Sequence, residues 1–170
     1  MSEHVALIGF MGAGKSTLGR RVARELGLPF VDSDAAIVER HGPIAEIFAR
    51  EGDAGFRQLE YEVVRAALAG PPAVLALGGG AVTHEATRAL LATGAVRVFI
   101  DVPLRTLVSR LRRSRTIRPL LGEKLEPERV RVLWERRMPL YREAEIVVAA
   151  GGHRSQAAIA REIVARVRPQ

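Results

Sequence analysis

Cysteine is absent from the 170-residue sequence, aromatic side chains make up only 5% of it, and lysine occurs at two positions, 15 and 124. Without a thiol, disulfide frameworks, thiolate metal sites and cysteine nucleophiles are excluded, and a reducing compartment fits. The four histidines, His4, His41, His84 and His153, have no metal-ligand spacing, so no zinc site is expected. No apolar run approaches the roughly 20 residues that cross a bilayer. The stretch Ala73 to Val82 has ten residues and holds three consecutive glycines. The start, Met1-Ser2-Glu3-His4, carries an acid where a signal peptide has its basic region. These absences lead to the expectation of a soluble cytoplasmic protein with no membrane partner. Internal repeats and low-complexity tracts are missing as well.

What is present is ordinary for a globular chain: 48% hydrophobic and 26% charged residues, enough for one domain spanning 1–170. The net charge of +7 raises nucleic acid as a partner. Its distribution argues otherwise. Arginines 110, 112, 113, 115 and 118 lie in one segment without an acid, and removing them leaves 7 − 5 = +2. That segment has no aromatic residue to stack on bases, so no nucleic-acid partner is expected. The cluster is either a solvated basic loop or a group of cations facing a polyphosphate.

Short apolar runs at Val5–Ile8, Phe30–Val31, Ala73–Leu77, Val96–Ile100 and Ile146–Val148 read as strands. Helical patterns separate them. Leu18, Val22 and Leu26 draw the face of the first helix, with Gly27 at its C-cap. Ile37 and Val38 begin a second pattern, extended by Ile44, Ile47 and Phe48. Leu59, Val63 and Ala67 mark a helix from Phe56 to Leu68, ended by Gly70-Pro71-Pro72. Further helices are drawn by Ala86, Leu90 and Leu91, by the residues up to Leu111, by Pro127 to Arg142, and by Gln156 to Val167. Asp32-Ser33-Asp34 reads as an acidic turn. This alternation predicts a three-layer α/β fold with a five-stranded parallel sheet, ligands binding beyond the carboxyl ends of its strands. Trp134 and Tyr141, seven apart on one helix, are expected to pack in the core.

Gly9-Phe10-Met11-Gly12-Ala13-Gly14-Lys15-Ser16 fits G-x-x-x-x-G-K-[ST] between the first strand and the first helix, the context that gives this pattern its meaning. Its backbone N–H groups can turn inward as an anion nest, and the helix N-terminus points positive charge at the same place. Gly12, Ala13, Gly14, Lys15, Ser16 and Thr17 are therefore the ATP-binding residues. Lys15 offers a compact charge for the β- and γ-phosphates, and the Ser16 hydroxyl suits Mg²⁺. That a chain with so few lysines keeps one here fits a site with room for an ammonium but not for a planar fork. The sequence has no N-K-x-D guanine signature and little room for an accessory domain, so a small-molecule kinase is expected.

Five more motifs follow in order: Asp32-Ser33-Asp34, Phe56-Arg57-x-x-Glu60, Gly78-Gly79-Gly80, Arg118-Pro119-Leu120-Leu121 and Arg137-x-Pro139-Leu140-Tyr141. Together with the phosphate loop they resemble the shikimate kinase family, over Val5 to about Val148. The resemblance implies ATP-dependent phosphorylation of the shikimate 3-hydroxyl in aromatic amino-acid biosynthesis, on a P-loop fold with a mobile lid at about 111–124 and acceptor-binding helices at about 33–62. It implies that Arg57 and Arg137 hold the acceptor carboxylate, with Glu60 fixing Arg57. Asp34 would bind the ring hydroxyls and orient the attacking one, and Gly79 would let the ring approach the backbone and donate its N–H. Arg118 would reach the phosphates from the lid, either Arg110 or Arg112 supplying a second lid contact. Ser16 would hold Mg²⁺, with Asp32 in the magnesium shell, and Arg154 would neighbour the adenine. The loop at Gly151-Gly152-His153-Arg154 lacks the threonine and proline the family carries there. A monomer is expected. Two alternatives stay open at this point: a kinase for another sugar acid such as gluconate, which would not need both arginines, and a nucleotide-binding module with a regulatory or nucleic-acid role.

Overall fold

The computed structural model describes residues 3–116, 118–122 and 124–168. Its central strand, β1 (His4–Ile8), is buried at every position, which is why its sequence reads as a continuous apolar run instead of an alternating one. Residues Val5 to Leu7 pair with Val74 to Ala76 of β3 (Val74–Ala76) on one side, and the whole strand pairs with Ala95 to Phe99 of β4 (Ala95–Asp101) on the other. With β2 (Phe30–Asp32) and β5 (Ile146–Ala149) outermost, the sheet is parallel throughout in the order β2-β3-β1-β4-β5. The neighbours β1 and β3 send their onward connections in opposite directions, β1 toward the β2 edge and β3 across β1 to β4, so a crevice opens beyond their carboxyl ends.

Seven α-helices flank the sheet among the described residues: α1 (Lys15–Leu26), α2 (Ser33–His41), α3 (Ile44–Leu68), α4 (Glu85–Gly94), α5 (Leu104–Arg113), α6 (Pro127–Tyr141) and α7 (Gln156–Val167). α1 packs against α7, α3 against α4 and α5 against α6. The main core joins Leu7, Leu18, Leu75, Leu91, Ile100 and Ile159. A second, small core of Ile37, Ile47, Phe56 and Val63 lies between α2 and α3.

The expected five parallel strands and three layers are observed. The differences are local. Asp32-Ser33-Asp34 is not a separate turn: β2 runs directly into α2, and Asp32 Oδ1 accepts the Ala35 N–H at 3.1 Å as the helix N-cap. The helical patterns around Ile44 and Phe56 belong to α3, broken at Gly52, whose φ of 70° lies where only glycine sits without strain. Val38 and Ala86 face solvent, and Thr87 is buried in place of Ala86. The segment expected to form a lid leaves α5 at Ser114 and passes through a 3-10 turn, Pro119–Leu121, whose Leu121 enters the main core; residues 117 and 123 lie outside the described residues.

Candidate active site

The glycine-rich loop leaves β1 and turns into α1 at Lys15, with Gly12 and Gly14 at φ 79° and 90°. Lys15 folds back over this loop, its ammonium donating to the carbonyls of Gly9 at 2.7 Å and Phe10 at 2.8 Å. Burial pushes the ammonium down to about 8, against the opposing pull of Asp34. Next to it Ser16 Oγ donates to Asp32 Oδ2 at 2.5 Å. These two oxygen groups line the cavity described below and suit a hard divalent cation. No cluster of three or more His, Asp or Glu able to hold a metal occurs among the described residues. Two hard oxygens fit Mg²⁺, whose other ligands would come from phosphate and water.

The other half of the site comes from four separate elements. Arg57, near the middle of α3, is 6% exposed, with Nη1 donating to the fully buried Glu60 and Nη2 lying 3.2 Å from Asp53. The three-residue spacing puts Arg57 and Glu60 on one helical face, and the glycine turn after β3 closes against that face. Arg137 of α6 is 3% exposed and stacks its guanidinium 5.8 Å from the centre of the Phe10 ring. Burial lowers the guanidinium, and the nearby Tyr141 opposes the shift. After β3, Gly78-Gly79-Gly80 threads between these groups with no room for side chains. A Cβ on Gly80 would collide with the Arg57 guanidinium, one on Gly78 would fall 2.7 Å from Asp34 Oδ1, and one on Gly79 would fall 2.9 Å from Met11 N. Asp34, in the first turn of α2, has its carboxyl raised by burial, with Lys15 pulling it back down. Glu60 is pushed up to about 7, mainly by burial and against the attraction of Arg57.

One cavity of about 340 Å³ connects the two halves, a volume suited to a small molecule. The phosphate loop, Asp32, Asp34, Arg57, Glu60, the glycine turn and Arg137 all line it, with Ile44, Phe48, Phe56 and Leu120 supplying apolar wall. Within it, Arg57 Nε, Arg137 Nε and Nη1, and Glu60 Oε1 are buried without a hydrogen-bond partner. Unpartnered buried polar groups of this kind are costly; the three on the arginines are N–H donors, which an anion with two oxygens would satisfy.

Most of the residues read from the sequence meet here: Gly12, Gly14, Lys15, Ser16, Thr17, Asp32, Asp34, Arg57, Glu60, Gly79, Arg118 and Arg137. Ala13 is buried behind the loop and does not line the cavity. Arg118 is half-buried, held by Ser114 Oγ at 3.1 Å and the Thr116 carbonyl at 3.3 Å. Arg154 does not line this cavity; it is exposed in the loop before α7, donating to the Ala149 carbonyl at 2.5 Å and to Glu162 at 2.6 Å. Between the two arginines left open, Arg110 reaches the phosphate loop, donating to the Gly12 carbonyl at 3.0 Å, while Arg112 faces solvent. Sequence reasoning missed the apolar wall and the part played by Tyr141, whose hydroxyl donates to the Gly79 carbonyl at 2.5 Å. Its position four residues after Arg137, on the same helical face, was the available signal.

Comparison with known proteins covers nearly the whole chain. Residues 11–168 match the family model described as shikimate kinase. A shikimate kinase of Mycobacterium avium is 46% identical over 168 residues, covering 98% of this chain and 94% of the relative. The structure of the Acinetobacter baumannii shikimate kinase in complex with shikimate superposes with a TM-score of 0.90 at 35% identity, covering 98% of this chain and 93% of that one. A gluconokinase from Sinorhizobium meliloti, at 22% identity and a TM-score of 0.64 over 97% of this chain and 91% of that one, shares the fold alone.

Proposed function

The chain belongs to the shikimate kinase family, and from that premise we propose how its own residues carry out the transfer. The reaction moves the γ-phosphoryl group of ATP to the shikimate 3-hydroxyl, giving 3-phosphoshikimate and ADP in aromatic amino-acid biosynthesis. The observation that carries the acceptor assignment is the set of unpartnered, buried guanidinium N–H groups of Arg57 and Arg137 on one cavity. Shikimate brings one carboxylate, whose two oxygens suit two planar forks.

The polyphosphate binds across the backbone N–H groups of residues 12–17, and Lys15 exchanges its loop carbonyls for phosphate oxygens. That exchange raises its depressed ammonium again and holds the charge that shifts during transfer. Arg118 adds a second cation from the lid, whose closure excludes water. Ser16 is assigned as the direct protein ligand to Mg²⁺, with Asp32 fixing that hydroxyl and reaching the ion through water. When bound, the ion neutralises the β- and γ-phosphate oxygens. Asp34 orients the attacking hydroxyl and takes its proton, a role its raised carboxyl supports. Glu60 locks Arg57 so that its remaining N–H edge meets the acceptor carboxylate, while Gly79 brings main chain against the ring.

No helix among the described residues is long and apolar enough to cross a membrane. A cytoplasmic monomer that needs no nucleic acid is part of the same reading, with the basic segment serving the nucleotide. A coupled ADP-release assay with shikimate and gluconate side by side tests it. Turnover with shikimate alone is expected; turnover only with gluconate would overturn the acceptor assignment.

A further inference from the structure

Tyr141 ends α6 in the core, 1% exposed, its ring stacked on Phe99 of β4 at 5.2 Å between centroids and 19° between planes. A ring so placed would need no hydroxyl if packing were its whole task, and phenylalanine would fill the same space. The hydroxyl nevertheless donates to the Gly79 carbonyl at 2.5 Å. Its oxygen also faces the Arg137 guanidinium, one helical turn earlier on α6.

Two consequences follow from this contact. No cis peptide occurs among the described residues, so the carbonyl of Gly79 and the N–H of Gly80 point in opposite directions across one plane. Gripping that carbonyl therefore fixes the direction of an N–H in the turn that walls the cavity. A glycine pair restrains its own peptide planes poorly, so an outside restraint has a large effect there. The Arg137 guanidinium lies beside the same hydroxyl, and its Nε and Nη1 stay free for a ligand. The phosphate loop meets Gly79 through Met11 and has its own hydrogen bonds, none of which involves Tyr141.

We propose that the Tyr141 hydroxyl is a positioning group for the acceptor: it orients the Gly79–Gly80 peptide and the Arg137 fork together, and serves acceptor binding separately from nucleotide binding. The inference rests on the acceptor assignment made above. Burial holds the phenol up at about 12, so the donor persists across the working pH range and its effect is independent of pH from 6 to 9.

The test is Tyr141→Phe, which keeps the stacked ring and removes only the oxygen. The expected result is a rise of about tenfold in KM for shikimate, with KM for ATP within twofold of wild type and an unchanged fold by circular dichroism. In an Arg137→Lys background the same substitution should raise that KM by less than it does in wild type, because one of the two groups it positions is already changed. Shikimate alone should also protect the variant less against thermal unfolding than it protects wild type, a readout that needs no turnover. A shikimate KM within twofold of wild type overturns the proposal, as does an equal rise in both KM values, which would mark a general structural defect. Should the phenylalanine variant fail to fold, full additivity of Tyr141→His with Arg137→Lys in the shikimate-protection assay would overturn it. Wild-type turnover of shikimate is the control: its absence refutes the acceptor reading itself, whereas its presence with an unaffected variant refutes only the role of Tyr141.

Discussion

At one end of the cavity, a contiguous loop and the start of α1 supply an anion cradle, and the cation in it is hydrogen-bonded by carbonyls of that same loop. At the other end, the cations arrive from α3 and α6, the carboxylates from α2 and α3, and the wall from a glycine turn after β3. The nucleotide end is thus nearly self-contained in sequence and in hydrogen bonding. The acceptor end is spread over the fold and keeps buried polar atoms without partners. Such atoms destabilise the free protein, and a ligand that satisfies them recovers that free energy on binding. In the function proposed, a recurring chemical task, holding phosphate, falls to local backbone geometry, whereas recognition of one particular acid falls to tertiary assembly.

The largest separation between the two ends is expected from Lys15→Ala. Losing one strong electrostatic contact to the transferring group should lower kcat by about 10²–10³, with little change in KM for shikimate. A coupled ADP-release assay reads both values, and an unchanged kcat would remove Lys15 from the transfer step. Arg137→Lys should do the opposite. A point charge cannot replace a planar fork, and hydrogen bonds to charged groups are worth about 1.5–3 kcal/mol. A rise of roughly 10- to 100-fold in KM for shikimate, with KM for ATP unchanged, is the expected split; equal effects on both substrates would break the division of the cavity into two ends.

A pH titration sharpens the comparison further. In the free protein the Lys15 ammonium loses its proton at about 8, and the polyphosphate binds the charged form better. KM for ATP should therefore rise above pH 8, by up to about tenfold at pH 9, and KM for shikimate should lack this step. A flat ATP profile from pH 7 to 9.5 would show that the ammonium is not depressed. A second titration concerns stability. The Glu60 carboxyl is raised from 4.5 to about 7, so the folded state binds more protons than the unfolded state between those values. Its contribution to stability is present below pH 4.5 and declines as pH rises to 7. Thermal melts of wild type and Glu60→Gln should therefore show wild type losing stability relative to the variant over this window. Parallel melting curves across it would contradict the raised carboxyl.

Much of the molecule was legible before its coordinates. The buried strands announce themselves as apolar runs because neighbours cover both faces of the sheet, and the phosphate loop because its chemistry needs glycines and a lysine in consecutive positions. The site was less evenly readable. Arg57 and Glu60 could be paired from their spacing, but only the packing of α3 turns an ordinary surface pair into a buried one. The partners of Arg154, the Ala149 carbonyl and Glu162, come from the fold, and no pattern along the chain reveals such neighbours. Tyr141 read as packing because a stacked ring and a hydrogen-bonded hydroxyl give the same letter.

The order of residues by itself determined the parallel sheet, the anion cradle and the types of side chain available for an acidic acceptor, since these depend on local periodicity and on contacts between near neighbours. Tertiary structure alone decided that Arg57 and Arg137 share one hollow, that their free N–H edges are buried, and that Arg110 instead of Arg112 touches the phosphate loop. Those facts depend on distances between elements remote in sequence, and on the removal of water from between them, neither of which a one-dimensional pattern contains.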